Sequence, residues 1–378
     1  MTDVAPLAPG LHNAPMRRAV LILLVLAGCV KAPPKKKHEE APPLPPREQV
    51  LKLLETAYAA IEAADGDKLK PLFAADVTAF GLGPSELYTD RDTLIEKVSQ
   101  QLLPIGLRGD KVHVVESHAQ AALAKGELSG WVWDLPKIEH ERRGESTVWQ
   151  PRITAHVVRD FDGWRIDALH VSVGVPDAKL WAADGARRFV PPADVKDDRG
   201  PDSEQLIGLT KRLLEDVAVK VERISDAGEV LLVGTDPGEL FIGGKRFKDL
   251  VRPSLPAIKK SGYSTKLEGP LRSRLADDKK TGWVAANVVL RRTVGKKAQE
   301  ATPFRVLWLF AEENGVWNLV SEHQSLALKE EQREPATDEE QKNLTATLAV
   351  SKPAEPPPAK DKPGKSEKSD KDEPIKPW

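Results

Sequence analysis

A histidine and a serine recur in one nine-residue pattern that the chain contains twice. The first copy runs from Trp164 to Ser172 as Trp-Arg-Ile-Asp-Ala-Leu-His-Val-Ser. The second copy begins 153 residues later and runs from Trp317 to Ser325 as Trp-Asn-Leu-Val-Ser-Glu-His-Gln-Ser. An imidazole can act as a general base, and a hydroxyl can bond to it or to a ligand. The repeat therefore predicts one fold built twice, with each copy as its last strand.

Two interpretations of the repeated histidines, His170 and His323, stay open at this stage. In the first, each is a general base or a polar contact for a ligand. In the second, each is a half-buried residue that is hydrogen-bonded to a serine or to the backbone and fixes the end of a sheet. Repetition in both halves of the chain fits either role.

Alternation along a strand assigns the two copies a common face, because successive side chains point to opposite sides. The residues that share this face are Trp164, His170 and Ser172 in the first copy and Trp317, His323 and Ser325 in the second. The face is largely apolar, which predicts that it covers the helices and directs both histidines toward a pocket. Trp131 and Trp283 each follow a glycine and are expected either to line these pockets or to pack in the core.

A hairpin turn at Phe161–Asp162 predicts the pairing of the last two strands in the first half. In this register Val157 lies opposite Ile166, and His156 lies across from Asp167 on the other face. Such a His–Asp pair either orients a catalytic imidazole or is a polar pair on the outer surface.

Other patterns for catalysis or cofactor binding are missing from the sequence. There is no Cys/His cluster with metal spacing, no phosphate-binding loop and no Gly-x-Ser-x-Gly motif. Isomerase chemistry of the ketosteroid type needs a pocket carboxylate with a tyrosine or protonated aspartate donor, and no inward strand aspartate is predicted. With 56 basic and 57 acidic residues, the charge gives no case for nucleic acid. No metal and no cofactor is predicted, and catalytic residues stay unassigned.

Helices and strands that position the first copy follow a recognisable order. Apolar residues at helical spacing predict an amphipathic helix over Arg47–Ala64 and a further helix over Thr89–Leu103. The predicted strands after them are Lys111–Ser117, Ala121–Asp134, Thr147–Asp160 and Gly163–Gly174. Before the second copy, Ser203–Ile224 is predicted to be helical, and four more strands are predicted between Ser264 and Ala327.

This order of elements, with Gly-Pro-Ser-Glu at Gly83–Glu86 and the final Trp-x-Ile/Leu-x-x-x-His-x-Ser strand, resembles the SnoaL-like branch of the nuclear-transport-factor-2-like superfamily. The resemblance implies an α+β fold of two tandem cone-shaped domains, each a curved antiparallel sheet packed on N-terminal helices. The domains are expected at 47–176 and 203–328 and are expected to fold separately, joined by a linker at 177–202. Some members of these families are cyclases, isomerases or dehydratases, whereas others only bind ligands or dimerise, so the fold alone assigns no chemistry.

The N-terminal region resembles that of a bacterial lipoprotein. Met16-Arg17-Arg18 is a charged segment, and the apolar run Ala19–Leu26 is too short to span a bilayer. Leu26-Ala27-Gly28-Cys29 then resembles a lipobox, and Cys29 is the only cysteine of the chain. The resemblance implies a signal peptide at 1–28, with Met16 as a second candidate start, and lipid attachment at Cys29. The alternative is a buried core cysteine beside a short apolar segment.

The flanking segments predict how the folded part is held at a membrane. Residues 29–46 are rich in proline and lysine, which predicts an extended tether, and the polar residues 329–378 predict a disordered tail. Val30 follows the cysteine where an aspartate would suggest retention in the inner membrane. The expected location is therefore the periplasmic side of the bacterial outer membrane, with another membrane of the cell envelope as the alternative.

Two hypotheses for function follow. The first is a lipid-anchored module that binds a small apolar ligand or a protein of the cell envelope without catalysis. The second is an enzyme of cyclase, isomerase or hydrolase type with His170 or His323 as general base.

Lipid attachment at Cys29 has a direct test in the intact protein. We expect metabolic labelling with a palmitate analogue to mark the wild-type chain and not the Cys29→Ser variant, because serine lacks the thiol that would carry the lipid. Equal labelling of both chains would contradict the lipobox assignment.

Overall fold

The structure is a computed structural model that describes residues 43–175, 195–261, 263–294, 297–298, 302–328 and 333–351. The predicted signal peptide, Cys29, most of the tether and residues 352–378 lie outside this part. The described residues from Leu44 onward belong to one compact unit. Of the helices in the described ranges, none has both the length and the apolar character needed to cross a membrane.

The first half begins with helices and continues into two sheets. Its elements are α1 Pro46–Glu62, a 3-10 helix Gly66–Leu72, β1 Phe73–Phe80, β2 Leu87–Tyr88, α2 Arg91–Arg108, β3 Lys111–Glu116, β4 Gln120–Leu123, β5 Ser129–Asp134, β6 Lys137–Arg142, β7 Glu145–Trp149, β8 Arg152–Asp160 and β9 Gly163–Ser172. The Asp90 carboxylate caps α2 by accepting a hydrogen bond of 2.8 Å from the Thr93 N–H. Gly109, at a φ of 71°, ends that helix in the left-handed conformation.

The main sheet of the first half has the strand order β2-β1-β9-β8-β5-β4, with β1 parallel to β9. Strands β3, β6 and β7 form a separate sheet of three strands. The sequence predicts single strands over Ala121–Asp134 and Thr147–Asp160, but each is divided in two, and β6 was not predicted. Gly126, at a φ of 106°, lies in the turn that separates β4 from β5.

The second half follows the same plan with longer strands. Its elements are β10 Asp198–Arg199, α3 Glu204–Glu215, α4 Val217–Arg223, β11 Leu231–Val233, β12 Leu240–Ile242, α5 Gly244–Val251, a 3-10 turn Arg252–Ser254, α6 Leu255–Lys260, β13 Tyr263–Leu275, β14 Thr281–Val294, β15 Lys297–Ala298, β16 Thr302–Glu313 and β17 Val316–Ser325. The sheet order is β12-β11-β17-β16-β14-β13-β10, with β15 beside β14. As in the first half, a short hairpin lies at the edge, and its first strand, β11, runs parallel to the last strand, β17.

Each sheet packs one face on the helices of its own half. In the first half, Val50, Leu54 and Tyr58 of α1 share a core with Val157 and other residues of the sheet. In the second half, residues of α3 such as Leu206 and Leu213 share a core with Trp308, Phe310 and Leu319 of the sheet. The predicted α+β class, with curved sheets on N-terminal helices, is confirmed.

A third core lies between the two halves and is called the seam below. Its buried apolar residues are Phe80, Leu87, Trp131, Trp133, Leu135 and Ala168 from the first half, Leu231, Val233, Leu240, Ile242, Trp283, Ala285, Leu307, Leu309, Ala311 and Val320 from the second, and Leu344. The sheet faces turned away from the helices are therefore buried against each other. The prediction of separately folding domains did not include this shared core.

Two backbone hydrogen bonds across the seam repeat the 153-residue offset. The Val175 N–H donates to the Thr235 carbonyl at 2.9 Å, and the Leu328 N–H donates to the Leu82 carbonyl at 2.9 Å. Each half thus binds the edge hairpin of the other through equivalent positions, as two copies do in a symmetric dimer.

Part of the predicted tail is helical. Helix α7, Asp338–Ser351, begins with a capping box in which the Thr337 N–H donates to Glu340 at 2.7 Å and the Glu340 N–H donates to the Thr337 hydroxyl at 3.2 Å. Leu344 of this helix is buried in the seam. Residues 333–351 thus differ from the disorder predicted for 329–378, and the Thr-x-x-Glu pattern was the signal for this helix.

The two repeated tryptophans are expected to differ in their contribution to stability. Trp164 is 7 % exposed in the first core, whereas Trp317 is only partly buried. We expect Trp164→Ala to lower the free energy of unfolding by about 3–5 kcal/mol. Trp317→Ala should lower it by about 1–2 kcal/mol, because folding buries less of the apolar surface of this side chain. Urea denaturation of the full chain measures both, and an equal loss would contradict this assignment of burial.

Candidate functional site

The eight residues predicted to form pockets do not share one pocket. Trp164 packs in the core of the first half, and Trp317 packs against the core of the second. The other six, His170, Ser172, Trp131, His323, Ser325 and Trp283, are buried at the seam. The prediction that the histidines point into the cones is therefore wrong.

The physical reason is a β-bulge in the last strand of each half. In β9, Val157 pairs with Ile166 as predicted, but His156 pairs with Ala168, so Asp167 is an extra residue. In β17, Phe310 pairs with Leu319 and Leu309 with Ser321, so Val320 is extra. One extra residue reverses which face the following side chains occupy. Trp and His of the motif therefore lie on opposite faces of each sheet.

The two histidines exchange partners across the seam. The His170 Nε2 atom lies 2.7 Å from the Ser325 hydroxyl, and the His323 Nε2 atom lies 2.7 Å from the Ser172 hydroxyl. Their rings stack with centroids 4.0 Å apart and planes 14° apart. The serine interpretation of the histidines is thus the better one, with each serine supplied by the opposite half.

Two arginines at the same 153-residue offset reinforce this exchange. Arg152 donates to the Gly234 carbonyl of the second half at 3.0 Å and to Ser172 at 3.2 Å. Arg305 donates to the Gly83 carbonyl of the first half at 3.1 Å and to Ser325 at 3.3 Å. Burial lowers the pKa of each guanidinium to about 10, which leaves both charged near neutral pH.

Burial also decides the charge state of the histidines. It lowers the pKa of His170 and of His323 well below the usual 6.5, and for His170 the neighbouring His323 lowers it further. Arg305 and Arg152 act in the same direction on both rings. Both imidazoles are therefore neutral near pH 7. Both are fully buried, so neither can reach a substrate as a general base.

A second buried histidine network contains the predicted His–Asp pair. His156 Nδ1 lies 2.6 Å from Asp167, and its Nε2 lies 2.7 Å from the Thr281 hydroxyl of the other half. The Trp283 indole N–H donates to the second oxygen of Asp167 at 3.0 Å. An Asp–His–hydroxyl line is the arrangement of a base with its nucleophile, but all four side chains are buried in the seam. These hydrogen bonds join the two halves of the chain. The expectation that His156 and Asp167 form a pair on the outer surface is wrong.

One inward carboxylate of the first half escaped the sequence prediction. Asp134 in β5 accepts hydrogen bonds from the Tyr58 and Ser117 hydroxyls at 2.5 and 2.6 Å and from the His118 and Leu135 N–H groups at 2.6 and 2.7 Å. Burial raises the pKa of Tyr58, and the charge of Asp134 raises it further. Because four donors of the chain itself satisfy this carboxylate, it anchors α1 to the sheet.

The second half contains a cavity of about 770 Å³ on the inner face of its sheet. Its apolar wall includes Leu213, Val217, Leu290, Phe304, Val306 and Trp308. The helices beside the cavity are α3 and α4, which meet at Asp216. By the offset of 153 residues, α3 corresponds to the later part of α1, and α4 corresponds to the 3-10 helix that follows α1. In the first half these helices pack on the sheet.

Charged residues around the cavity are held in ion pairs. Lys220 Nζ lies 2.6 Å from Glu322, and Lys259 Nζ lies 3.4 Å from Asp216. The pKa of Asp216 is lowered, first by the Ala218 N–H that donates to it and then by Lys259. The sequence did not predict this cavity, although the prolines Pro253 and Pro256, which interrupt the helical segment beside it, were a possible signal. Among the described residues, no group of three His, Cys, Asp or Glu side chains is arranged to hold a metal ion.

The stacked histidines predict a pH dependence of stability with a definite sign. Their pKa values are lowered in the folded state, so below about pH 6.5 the unfolded chain binds protons that the folded chain does not. We expect the free energy of unfolding to fall as pH decreases from 7.5 to 5.5, by up to about 1.4 kcal/mol per pH unit for each histidine.

A double variant, His170→Gln with His323→Gln, separates this effect from other titrations. Glutamine stays neutral across this range, so urea denaturation should show a weaker pH dependence in the variant. His113→Gln, at an exposed position of β3, is the matched control and should keep the wild-type slope. Identical slopes in the double variant and the wild type would contradict the assignment.

Several solved structures of low sequence identity are similar to part of this chain. One, from Streptomyces avermitilis, is provisionally named a dehydratase of the NTF2-like family; it is 15% identical, with coverage of 34% of this chain and 97% of its own and a TM-score of 0.30. Aln2 from a Streptomyces species is 10% identical, with coverage of 35% and 93% and a TM-score of 0.31. An NTF2-like protein with a cystatin-like fold from Novosphingobium aromaticivorans is 13% identical, with coverage of 38% and 88% and a TM-score of 0.29.

Sequence comparison matches one segment of the chain to a domain model. No curated protein matches the chain. The family model of the SnoaL-like domain matches residues 50–176, which contain most of α1 and all strands from β1 to β9. Residues 50–176 of this protein are a SnoaL-like domain.

Proposed function

We propose that the protein is a lipid-anchored binding protein of the bacterial cell envelope that takes one small apolar ligand into the cavity of its second half. The observation that carries this proposal is the cavity itself. About 770 Å³ is within the range of sites for small molecules, and such sites combine apolar walls with a few polar groups. Phe304, Val306 and Trp308 supply the wall here, and Lys220 and Gln324 are among the polar groups.

We further assign residues 203–328 to a second SnoaL-like domain. Support comes from the shared strand order, in which a short edge hairpin lies parallel to the last strand of each half. The offset of 153 residues that relates His170 to His323 also relates Arg152 to Arg305 and Gly81 to Gly234. At both glycines an added Cβ would collide with a glutamate, Glu86 or Glu239, that bonds to the backbone of the same turn.

Binding without chemistry is favoured over catalysis by the positions of the candidate bases. The enzyme hypothesis needs His170 or His323 at a pocket, and both are buried in the seam. Among the described residues, those that line the cavity include carboxylates and two lysines but no histidine. Among them, Lys220 and Lys259 are each bonded to a carboxylate, so neither is placed as a free base.

The lipid anchor at Cys29 and the location in the cell envelope are proposed from the sequence alone. Lipid at Cys29 would hold the protein on a membrane, with residues 30–42 as the tether before the first described residue. Val30 favours the periplasmic side of the outer membrane over the inner membrane. In that position the cavity would collect apolar molecules close to a lipid surface.

A protein partner in the envelope is the second candidate function, and one surface feature favours it. Leu103 and Leu107 lie one helical turn apart on α2 and are 59% and 78% exposed. Two exposed leucines on one helix face are typical of contact surfaces for proteins. Loss of a co-purifying envelope protein in a Leu103→Lys, Leu107→Lys variant would support this role.

Binding in the cavity of the second half predicts one binding site per chain. We expect the neutral fluorophore N-phenyl-1-naphthylamine to bind the full-length protein at one site and to increase in fluorescence there. Leu290→Trp adds bulk to the cavity wall and should weaken binding about tenfold or more, because overpacking of a site typically costs about 1–3 kcal/mol.

Val115→Trp, at an exposed position of β3, is the matched control and should bind the fluorophore as the wild type does. Two sites per chain would contradict the assignment of one binding half, and unchanged binding by Leu290→Trp would show that the fluorophore occupies another place.

A further inference from the structure

Glu322 is a buried carboxylate on the same face of the second sheet as the cavity. It pairs with Trp308 of β16 and with Leu232 of β11, and both of these belong to the core of the second half. Its side chain is only 4% exposed. The bulge at Val320 places it there, because without the extra residue this position would face the seam.

Only one oxygen of this carboxylate is hydrogen-bonded within the described part of the chain. Oε1 accepts from Lys220 Nζ at 2.6 Å and also from the Gln324 side-chain amide. Oε2 is buried and has no donor among the described residues. A buried acceptor without a partner is costly, so a group that donates to it gains more than an exposed contact would.

The neighbours of Glu322 connect it to the cavity. Lys220, Gln324 and Trp308 all line the cavity, and all three contact or pair with Glu322. The carboxylate therefore lies directly behind this part of the wall. Glu322 is not itself among the lining residues. We propose that it becomes the polar anchor of the cavity when the Gln324 side chain moves aside, and that its ligand has an apolar body with one neutral hydrogen-bond donor, a hydroxyl group. This inference rests on the proposed binding function.

Charge around the cavity favours a neutral donor over an anion. Glu215, Asp216 and Glu239 also line it, and its lysines are already paired with carboxylates. An anionic ligand would meet these carboxylates without a free cation to offset them. A hydroxyl meets the free oxygen of Glu322 without any such repulsion.

The first half supplies a natural reference for this position. Leu169 stands 153 residues before Glu322, pairs with Ala155 and packs against the core of the first half. A leucine is therefore compatible with the equivalent strand, bulge and packing. Glu322→Leu makes the second half resemble the first at this one position, which is a mild change for a buried site.

Two probe ligands that differ in one donor test the anchor in the full-length protein. Competition against N-phenyl-1-naphthylamine measures the affinities of 2-naphthol, which has a hydroxyl, and 2-methoxynaphthalene, which has none. We expect the wild type to bind 2-naphthol about 10-fold to 100-fold more tightly. In Glu322→Leu this preference should fall to about twofold or less, with 2-methoxynaphthalene binding unchanged. Glu116→Leu, which removes an exposed carboxylate of β3, should keep the wild-type preference.

The outcomes separate the anchor from the proposed function. Equal wild-type affinity for both naphthalenes would overturn the anchor and leave the cavity as an apolar binding site. Failure of the fluorophore to bind would overturn the binding function and the anchor with it. If the fluorophore binds and neither naphthalene displaces it, the anchor is overturned and the binding function stands. If Glu322→Leu does not fold, Glu322→Gln decides: a reduced preference supports the anchor, and an unchanged preference overturns it.

Discussion

The burial of two sheet faces against each other is the constraint on which this structure depends. The seam contains three imidazoles, two guanidiniums, an aspartate and several hydroxyls, and taking such groups out of water is costly unless they are paired. The pairing is supplied across the seam: serines bond to the histidines of the opposite half, and arginines bond to its turns. One relative placement of the halves satisfies all of these bonds together, so the polar groups specify the interface while Trp131, Trp283 and their apolar neighbours stabilise it.

Once the outer faces are buried in this way, the inner face of each sheet is the face that can pack against helices or form a ligand cavity. The first half fills that face with α1, and Tyr58 is bonded to Asp134 behind it. The second half leaves a cavity on this face, and Trp308 and Asp216 are among the residues that line it. A duplicated fold can thus assign stability to one copy and binding to the other, and the exchange of Leu169 for Glu322 at equivalent positions is consistent with that division.

Two clusters in this protein have the residue types of catalytic sites without access to substrate. Asp167, His156 and Thr281 form a line of short hydrogen bonds, and Tyr58 bonds to Asp134 as an acid would to a base. Both clusters are buried, and their hydrogen bonds are to groups of the chain itself. Residue type and distance are therefore not enough to assign chemistry, because a reacting group must also border space that a substrate can enter.

The sequence alone determined the repeat, the α+β class, most of the helices at 46–62 and 204–215 and the pairing of Val157 with Ile166, because periodicity and turn chemistry are local signals. It did not determine the bulges at Asp167 and Val320, since an extra residue in a strand is defined only by the partner strand. Those bulges moved His170 and His323 from the expected pockets to the seam and placed Glu322 beside the cavity. The seam itself joins positions about 150 residues apart, and only the tertiary structure decides which buried donor meets which buried acceptor at that separation.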